Sequence, residues 1–329
     1  MCAMGERGDA PLRVGLVGAG PWARAVHAPA LAAHPRTKLV TVWARREAAA
    51  ASLAAPYGAA VAHSFKELIS TVDAVSFAVP PAIQAPLAVH AAQAGRHLIL
   101  EKPIASTVEE AEQLVAAADD AAVATIVVLL RRFDRGTRDW LDELHRLGGW
   151  NGGGARWLTG GLLGGQYSES AWRHDGGALA DVGPHVLDLL DAALGQITAV
   201  LAANRGEPDL WHVVLGHATG ATSTASMSMR LPLRPSLTEA SVYGTHGYLE
   251  LPNRTESAQD SFHTLLDEFL AMVHSGQTEH SCDVSRGLHI QRLLQTITYM
   301  VGGSGLGLPA QSRPSWISDV GPGAAAAPR

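Results

Sequence analysis

Glu101-Lys102-Pro103 follows an apolar run, His97 to Leu100, that reads as a buried strand. Lysine is scarce in this chain: Lys38, Lys66 and Lys102 are three among 25 Lys and Arg. Ligands sit at the carboxyl ends of strands in open α/β sheets. A compact ammonium with three donors suits a developing alkoxide there better than a planar guanidinium. The plainer alternative is a surface lysine opening an ordinary loop. Farther on, Asp181-Val182-Gly183-Pro184-His185 sets an acid and a histidine four apart, a spacing that shares one face of a helix. Pro184 cannot donate to the carbonyl of Ala180, so a helix either begins near Asp181 or is kinked there. Asp181 as a simple N-cap, with His185 satisfied in the first turn, fits the same pattern. With an ordinary pKa near ~6.5, His185 suits reversible proton transfer at neutral pH. Lys102 would hold negative charge on oxygen, and Asp181 would fix the imidazole or bind a neighbouring hydroxyl. Together these are the needs of hydride transfer at a secondary alcohol or ketone.

Such chemistry needs a hydride carrier, and the start of the chain has a place for one. Leu12 to Val17 is a β-branched run that breaks into Gly18-Ala19-Gly20-Pro21-Trp22-Ala23 and then into helical composition to Ala33. The spacing is G-x-G-x-x-A. Gly18 serves the tight turn, Gly20 lets backbone approach a pyrophosphate, and a small Ala23 lets helix and strand pack closely. Pro21 fits a first helical turn, and Trp22 stands beside it. Lys38 to Trp43 is a second strand at the distance that completes a βαβ unit. After it, Ala44-Arg45-Arg46 stands where an acidic side chain would bind the ribose hydroxyls of NAD. Ala44 leaves room for a 2′-phosphate, and Arg45 and Arg46 offer guanidinium forks for it, so NADP is expected over NAD; solvated arginines at a helix start are the ordinary alternative. Val79, Pro80, Glu101 and Lys102, at later strand ends, complete the expected cofactor site.

The elements that carry these residues follow in rhythm. Helices near Phe65 to Ile69, Ile83 to Ala94 and Val108 to Ala118 alternate with strands Ala74 to Val79, His97 to Leu100 and Val123 to Leu130. Thr107-x-x-Glu110 reads as a capping box. This alternation predicts a doubly wound parallel sheet, a Rossmann domain over residues 10–131. From residue 132 to 305 the pattern changes. A helix from Asp134 to Leu147, a glycine-rich stretch from Gly148 to Gly165 and a helix from about Gly177 to Leu194 precede consecutive β segments: 199–203, 210–215, 222–229, 239–243 and 248–251. Helices 261–273 and 284–301 close the chain. The expectation is an α+β domain with an open, predominantly antiparallel sheet, where substrate binds and copies pair. The strand Thr222 to Met229 carries Ala, Met and Thr where a solvated face would carry charge. Residues 306–329, rich in Gly, Pro and Ala, are expected to be a disordered tail.

The 329 residues are 47% hydrophobic and 17% charged, with a net charge of −6. That is a globular composition without the basic field that nucleic acid or anionic lipid requires. No apolar run reaches the ~20 residues of a membrane span. The first residues lack the apolar core of a signal peptide. Cys2 and Cys282 imply neither a disulfide framework nor a zinc site. No ligand spacing among the histidines calls for a metal. The expected location is cytoplasmic.

The glycine turn 18–23, the Glu101-Lys102-Pro103 strand end, Arg131-Arg132-Phe133-Asp134 and the Asp181-x-x-x-His185 pattern, in that order, resemble the glucose-fructose oxidoreductase / inositol dehydrogenase / rhizopine-catabolism (Gfo/Idh/MocA) family over roughly residues 12–305. The resemblance implies that Lys102, Asp181 and His185 are the catalytic lysine, aspartate and histidine, and it admits a cis peptide before Pro103. It implies an NAD(P)-dependent oxidoreductase of a sugar, cyclitol or polyol that assembles as a homodimer or homotetramer. Relatives that sense a dinucleotide without turnover, or that reduce an imine, a dihydrodiol or a bilin-like ring, set the alternatives. Three positions depart from the family pattern. Asp175 replaces the first of three glycines and Gln84 a frequent histidine, both bearing on substrate or nicotinamide contacts; Ala44 replaces the acidic ribose ligand. Tyr167, Trp172, Arg173 and His174 precede the Asp181 motif and are candidates for substrate contact or for packing.

Overall fold

The first six strands form one parallel sheet in a computed structural model, which describes residues 10–165 and 167–302. They are β1 (Leu12–Val17), β2 (Thr37–Trp43), β3 (Ala60–Val61), β4 (Ala74–Phe77), β5 (His97–Leu100) and β6 (Thr125–Val127), in spatial order β3-β2-β1-β4-β5-β6. The chain winds outward in both directions from β1, so the carboxyl ends of β1 and β4 flank the switch point where a dinucleotide belongs. Val14, Leu16, Val75, Ile99 and Leu100 are wholly buried, as strands covered on both faces require. Between them run α1 (Ala28–Ala33), α2 (Glu47–Ala54), α3 (Phe65–Ser70), α4 (Pro81–Gln93) and α5 (Val108–Asp120). The helix expected from Ala23 opens instead with a π-helical turn, Ala23–His27. Thr107 caps α5 through the Glu110 N–H at 3.2 Å, and the Glu110 carboxylate reaches back to the N–H of Ser106, one residue short of a closed capping box.

After β6 a 3-10 turn (Leu130–Phe133) leads into α6 (Arg135–Leu147), capped by Asp134. The glycine-rich stretch then contains a strand, β7 (Trp150–Leu158), that no periodicity announces. It lies at the middle of the second sheet, whose order is β12-β11-β7-β10-β9-β8. The other members are β8 (Ile197–Gly206), β9 (Leu210–His217), β10 (Thr222–Ser228), β11 (Leu237–Gly244) and β12 (Gly247–Glu250). Every pairing is antiparallel except β7 with β10. The glycines have a steric reason. A Cβ on Gly152 would stand 2.7 Å from the Tyr243 hydroxyl, and one on Gly154 2.9 Å from Thr224 Oγ1.

The single helix expected over 177–194 is two: α7 (Ala171–Asp181) and α8 (Gly183–Leu194), with Pro184 in the first turn of α8, where its missing N–H costs nothing. One face of the second sheet packs on α8 and buries Ala155, Val213, Met227 and Val242. Two closing helices, α9 (Ala258–Ser275) and α10 (Val284–Met300), return to the parallel sheet. There α9 lies against α1 and the 3-10 turn, and α10 against α5 and α8. The two sheets are thereby joined along a cleft.

Candidate active site

The glycine turn after β1 has the shape its spacing implies. Gly18 has φ +109°, and a Cβ there would come within 2.4 Å of the Ala78 carbonyl. A Cβ on Gly20 would meet nothing within 4 Å, because that side of the backbone opens on the cleft. Ala23 is wholly buried and serves the close packing of turn on strand; it does not line the cleft. Bare backbone at the head of a helical segment, beside open space, fits a pyrophosphate.

The cleft encloses about 450 Å³ and runs from this turn, with Pro21 and Trp22, across Val79 and Pro80 to Glu101 and Lys102. At one side Ala44, Arg45 and Arg46 line it beyond the end of β2. Both arginines are exposed, and neither has an ion-pair partner among the described residues. The opposite wall comes from the second half of the chain: Tyr167, Trp172 and Arg173. The sequence offered these three as substrate contacts, and the structure sets them across from the glycine turn. The Arg173 guanidinium lies 4.5 Å from both the Tyr167 and Trp172 ring centroids.

Lys102 and Asp181, from different halves, meet at the cleft. The ammonium donates to Asp181 Oδ1 and to the Asp181 carbonyl, each at 2.7 Å, and Arg173 Nε donates to Oδ2 at 3.0 Å. Burial by itself would raise the Asp181 pKa, but the two cations outweigh it and hold the carboxyl down to about 2. Asp181 therefore does not fix the imidazole, as its spacing from His185 invites one to expect. The two residues lie on separate helices, and the carboxylate is fully engaged by Lys102 and Arg173. Nor is Asp181 an N-cap, since it ends α7.

His185 stands in the first turn of α8, stacked on Trp157 with ring centroids 5.3 Å apart, and its Nδ1 has no partner among the described residues. Burial pushes its pKa well below the ordinary range; Lys102 adds to that and Asp181 opposes it. The imidazole is therefore neutral at neutral pH and close enough to feel both charges. It is not part of the cleft lining itself.

Two departures from the family pattern, Gln84 and Asp175, are not among the residues that line the cleft. Gln84 is wholly buried and clamps the strand end: its amide donates to the carbonyls of Glu101 at 2.7 Å and Ile104 at 3.1 Å, while its oxygen accepts from the Glu101 N–H at 2.8 Å. Asp175 is exposed, two residues beyond the cleft-lining Arg173. His174 is engaged by the Ser168 carbonyl and Arg230. Sequence reasoning passed over His27, whose ring bonds Glu101 from beneath; its only signal is a histidine in an otherwise apolar helical run. Among the described residues no group of three or more His, Cys, Asp or Glu is placed to hold a metal ion.

Residues 12–128 match the family model for the oxidoreductase family with an NAD-binding Rossmann fold, and residues 154–250 that for the GFO/IDH/MocA C-terminal domain. A dTDP-3,4-didehydro-2,6-dideoxy-α-D-glucose 3-reductase of Streptomyces antibioticus is 30% identical over 254 residues, 73% of this chain and 75% of the reductase. Inositol 2-dehydrogenase 2 of Paenarthrobacter aurescens is 38% identical over 133 residues, 38% of this chain and 40% of its own. Among solved structures, the WlbA dehydrogenase from Bordetella pertussis in complex with NADH and UDP-GlcNAcA superposes with a TM-score of 0.76 at 25% identity, covering 89% of this chain and 96% of that one. Cleft, motifs and matched length agree, and the chain belongs to the Gfo/Idh/MocA family of NAD-binding, Rossmann-fold oxidoreductases.

Proposed function

We propose that this protein is an NADP-preferring oxidoreductase that moves hydride between nicotinamide and a secondary alcohol or ketone of a sugar, cyclitol or similar polyol. The observation that carries the reading is the Lys102 ammonium at the cleft, fixed by Asp181 from the opposite half at 2.7 Å. Gly18, Gly20, Pro21 and Trp22 would hold the dinucleotide at one end, and Val79, Pro80, Glu101 and Lys102 at the other. Bound nicotinamide supplies or takes the hydride. Lys102 holds the substrate oxygen as charge gathers on it, already oriented by Asp181. The neutral His185 accepts the hydroxyl proton in the oxidative direction and returns it in the reverse. The names of the relatives, a deoxysugar reductase and an inositol dehydrogenase, support polyol-like substrates.

Preference for NADP rests on Ala44, Arg45 and Arg46 at the cleft's edge. With no carboxylate at 44, nothing there repels a 2′-phosphate. Charge-assisted hydrogen bonds of ~1.5 to 3 kcal/mol each amount to tenfold discrimination or more. The test is a fluorescence titration with NADPH and NADH of the parent, Arg45→Ala and Arg46→Ala, followed by turnover against a panel of sugars, cyclitols and nucleotide sugars. Equal affinity for both cofactors, unchanged by either substitution, removes the NADP preference. Binding without turnover on the whole panel favours a dinucleotide sensor instead.

We also place the protein in the cytoplasm, as a homodimer or homotetramer joined through the uncovered face of the second sheet. Among the described residues no helix is long and apolar enough to cross a membrane.

A further inference from the structure

We propose that His27 is a positioning residue of the cofactor site, acting through Glu101 on Trp22. This rests on the cofactor reading above and adds a residue that lies outside the cleft. His27 is wholly buried beneath it, with Nε2 3.0 Å from Glu101 Oε1, Nδ1 2.8 Å from Ser76 Oγ, and its ring 4.8 Å from that of Phe262. The indole N–H of Trp22 donates to the same Glu101 Oε1 at 2.7 Å. Trp22 and Glu101 both line the cleft; His27 and Ser76 do not.

Glu101 is only 9% exposed, and its one ion-pair neighbour among the described residues is His27. A buried carboxylate must be offset by hydrogen-bond donors. Two converge on Oε1, whereas Oε2 takes only the Lys102 N–H at 3.3 Å. The carboxylate is therefore fixed about its last torsion, with Oε2 holding spare acceptor capacity for a hydroxyl donor such as a ribose. Because the carboxylate only accepts, Nε2 must carry a proton. Nδ1 faces the Ser76 hydroxyl of β4, so both ring nitrogens are engaged and the ring orientation is fixed.

The backbone explains how two side chains five residues apart reach one oxygen. On an α-helix, at 3.6 residues per turn, such positions point about 140° away from each other. Here the Ala28 N–H bonds the Ala23 carbonyl, and the wider π turn headed by Trp22 brings Trp22 and His27 toward the same side. With Gln84 holding the Glu101 backbone, both ends of this residue are clamped before any ligand arrives.

The alternative is that His27 merely fills space against Phe262. His27→Leu keeps bulk and removes the donor, and His27→Gln restores an N–H toward Oε1. Dissociation constants for NADPH and NADH, read by nicotinamide fluorescence alongside the thermal midpoint, separate the two. The expected result is binding about tenfold weaker in His27→Leu, recovered to within about threefold in His27→Gln, and Trp22→Phe plus His27→Leu no weaker than the worse single variant. Parent-like binding by His27→Leu, equal losses in the Leu and Gln variants, or additive losses in the double variant overturn the proposal. Should His27→Leu not fold, Ser76→Ala, Trp22→Phe and their combination carry the same test, coupled losses supporting and additive losses overturning it. A parent that binds neither cofactor fails the cofactor reading and this one together; a parent that binds while every variant matches it fails this one alone.

Discussion

A carboxylate buried beside an ammonium and a guanidinium is the residue-scale device on which the site depends. Asp181 is held at about 2, against an ordinary value of 3.8. A depressed pKa stabilises the fold above the ordinary value, and the contribution is lost as pH falls through the folded one. A shift of nearly two units corresponds to roughly 2 kcal/mol. Asp181→Asn should therefore be less stable than the parent by at least about 2 kcal/mol near pH 6, with the gap closing between about pH 4 and pH 2 in urea unfolding. More than 2 is expected if Lys102 stays charged and unpaired. A gap that stays constant with pH would refute the assignment. His185 leans the same way for another reason: burial keeps the ring neutral, so the oxidative rate should hold level through neutral pH and decline only well below the usual ~6.5. Lys102→Ala and His185→Asn should each cost ~10²-fold or more in turnover, and His185→Asn, outside the cleft lining, should leave cofactor affinity within a few-fold of the parent's. A His185→Asn enzyme as fast as its parent would remove the histidine from the chemistry. What could be read here from the chain was the identity of Lys102, through its strand-end place and its rarity. That Lys102 and Arg173 take up the Asp181 carboxylate in place of His185 could not be read, because Lys102 reaches it across the cleft and a break at Gly177 sets the geometry between Arg173 and Asp181.

Elements with a strong period were legible and elements built on glycine were not. The strands of the parallel sheet other than the two-residue β3, and helices α5, α6, α9 and α10, follow their apolar patterns closely. Strand β7 hides in Gly152-Gly153-Gly154, where cross-strand side chains take the place of its own. The break between α7 and α8 was signalled by Pro184 but its form was not, since a proline in a first turn and a proline at a kink look alike in sequence. A separate break lies farther back, inside α7 at Gly177, with φ 60° and ψ −155°. Its Cβ would stand 2.4 Å from Asp209 Oδ1, and Asp209 Oδ2 accepts the Ala178 N–H at 2.7 Å. Asp209 is itself held by the Trp211 indole at 2.9 Å, so it cannot retreat freely. Gly177→Ala combines a backbone region open essentially to glycine alone with a collision at a buried carboxylate. A loss on the order of 3 kcal/mol follows. Because this half of α7 carries Asp181, turnover should fall with it. Unfolding midpoints within experimental error of the parent would show that the turn adapts.

At the scale of the whole molecule, the strand order of the first sheet follows from its alternation of strands and helices. The return of α9 and α10 to that sheet does not, because an amphipathic face does not state which sheet it covers. The same ambiguity affected the case for self-association. In β10 the apolar Ala225 and Met227, which suggested an unsolvated outer face, point inward and pack toward α8. The outer face is formed instead by Thr222, Thr224 and Ser226, by Gly152 and Gly154 beside them, and by Tyr243 and Tyr248 toward the far edge. These tyrosines are 50% and 58% exposed, and Leu201 on β8 is 54% exposed. Six strands give an area on the scale of the ~800 Å² per partner that stable interfaces bury, with few charges beyond the Arg156–Glu239 pair. A flat, uncharged centre of small residues flanked by aromatic groups suits a second copy better than water. Thr224 lies near the middle of this face and packs on Gly154, so Thr224→Lys would place an unpaired ammonium at the centre of a symmetric interface and meet its own copy. Sedimentation velocity at micromolar concentration should show an oligomer for the parent and a smaller species for Thr224→Lys with an unchanged thermal midpoint. A monomeric parent, or an oligomer indifferent to this lysine, would place the contact elsewhere or remove it.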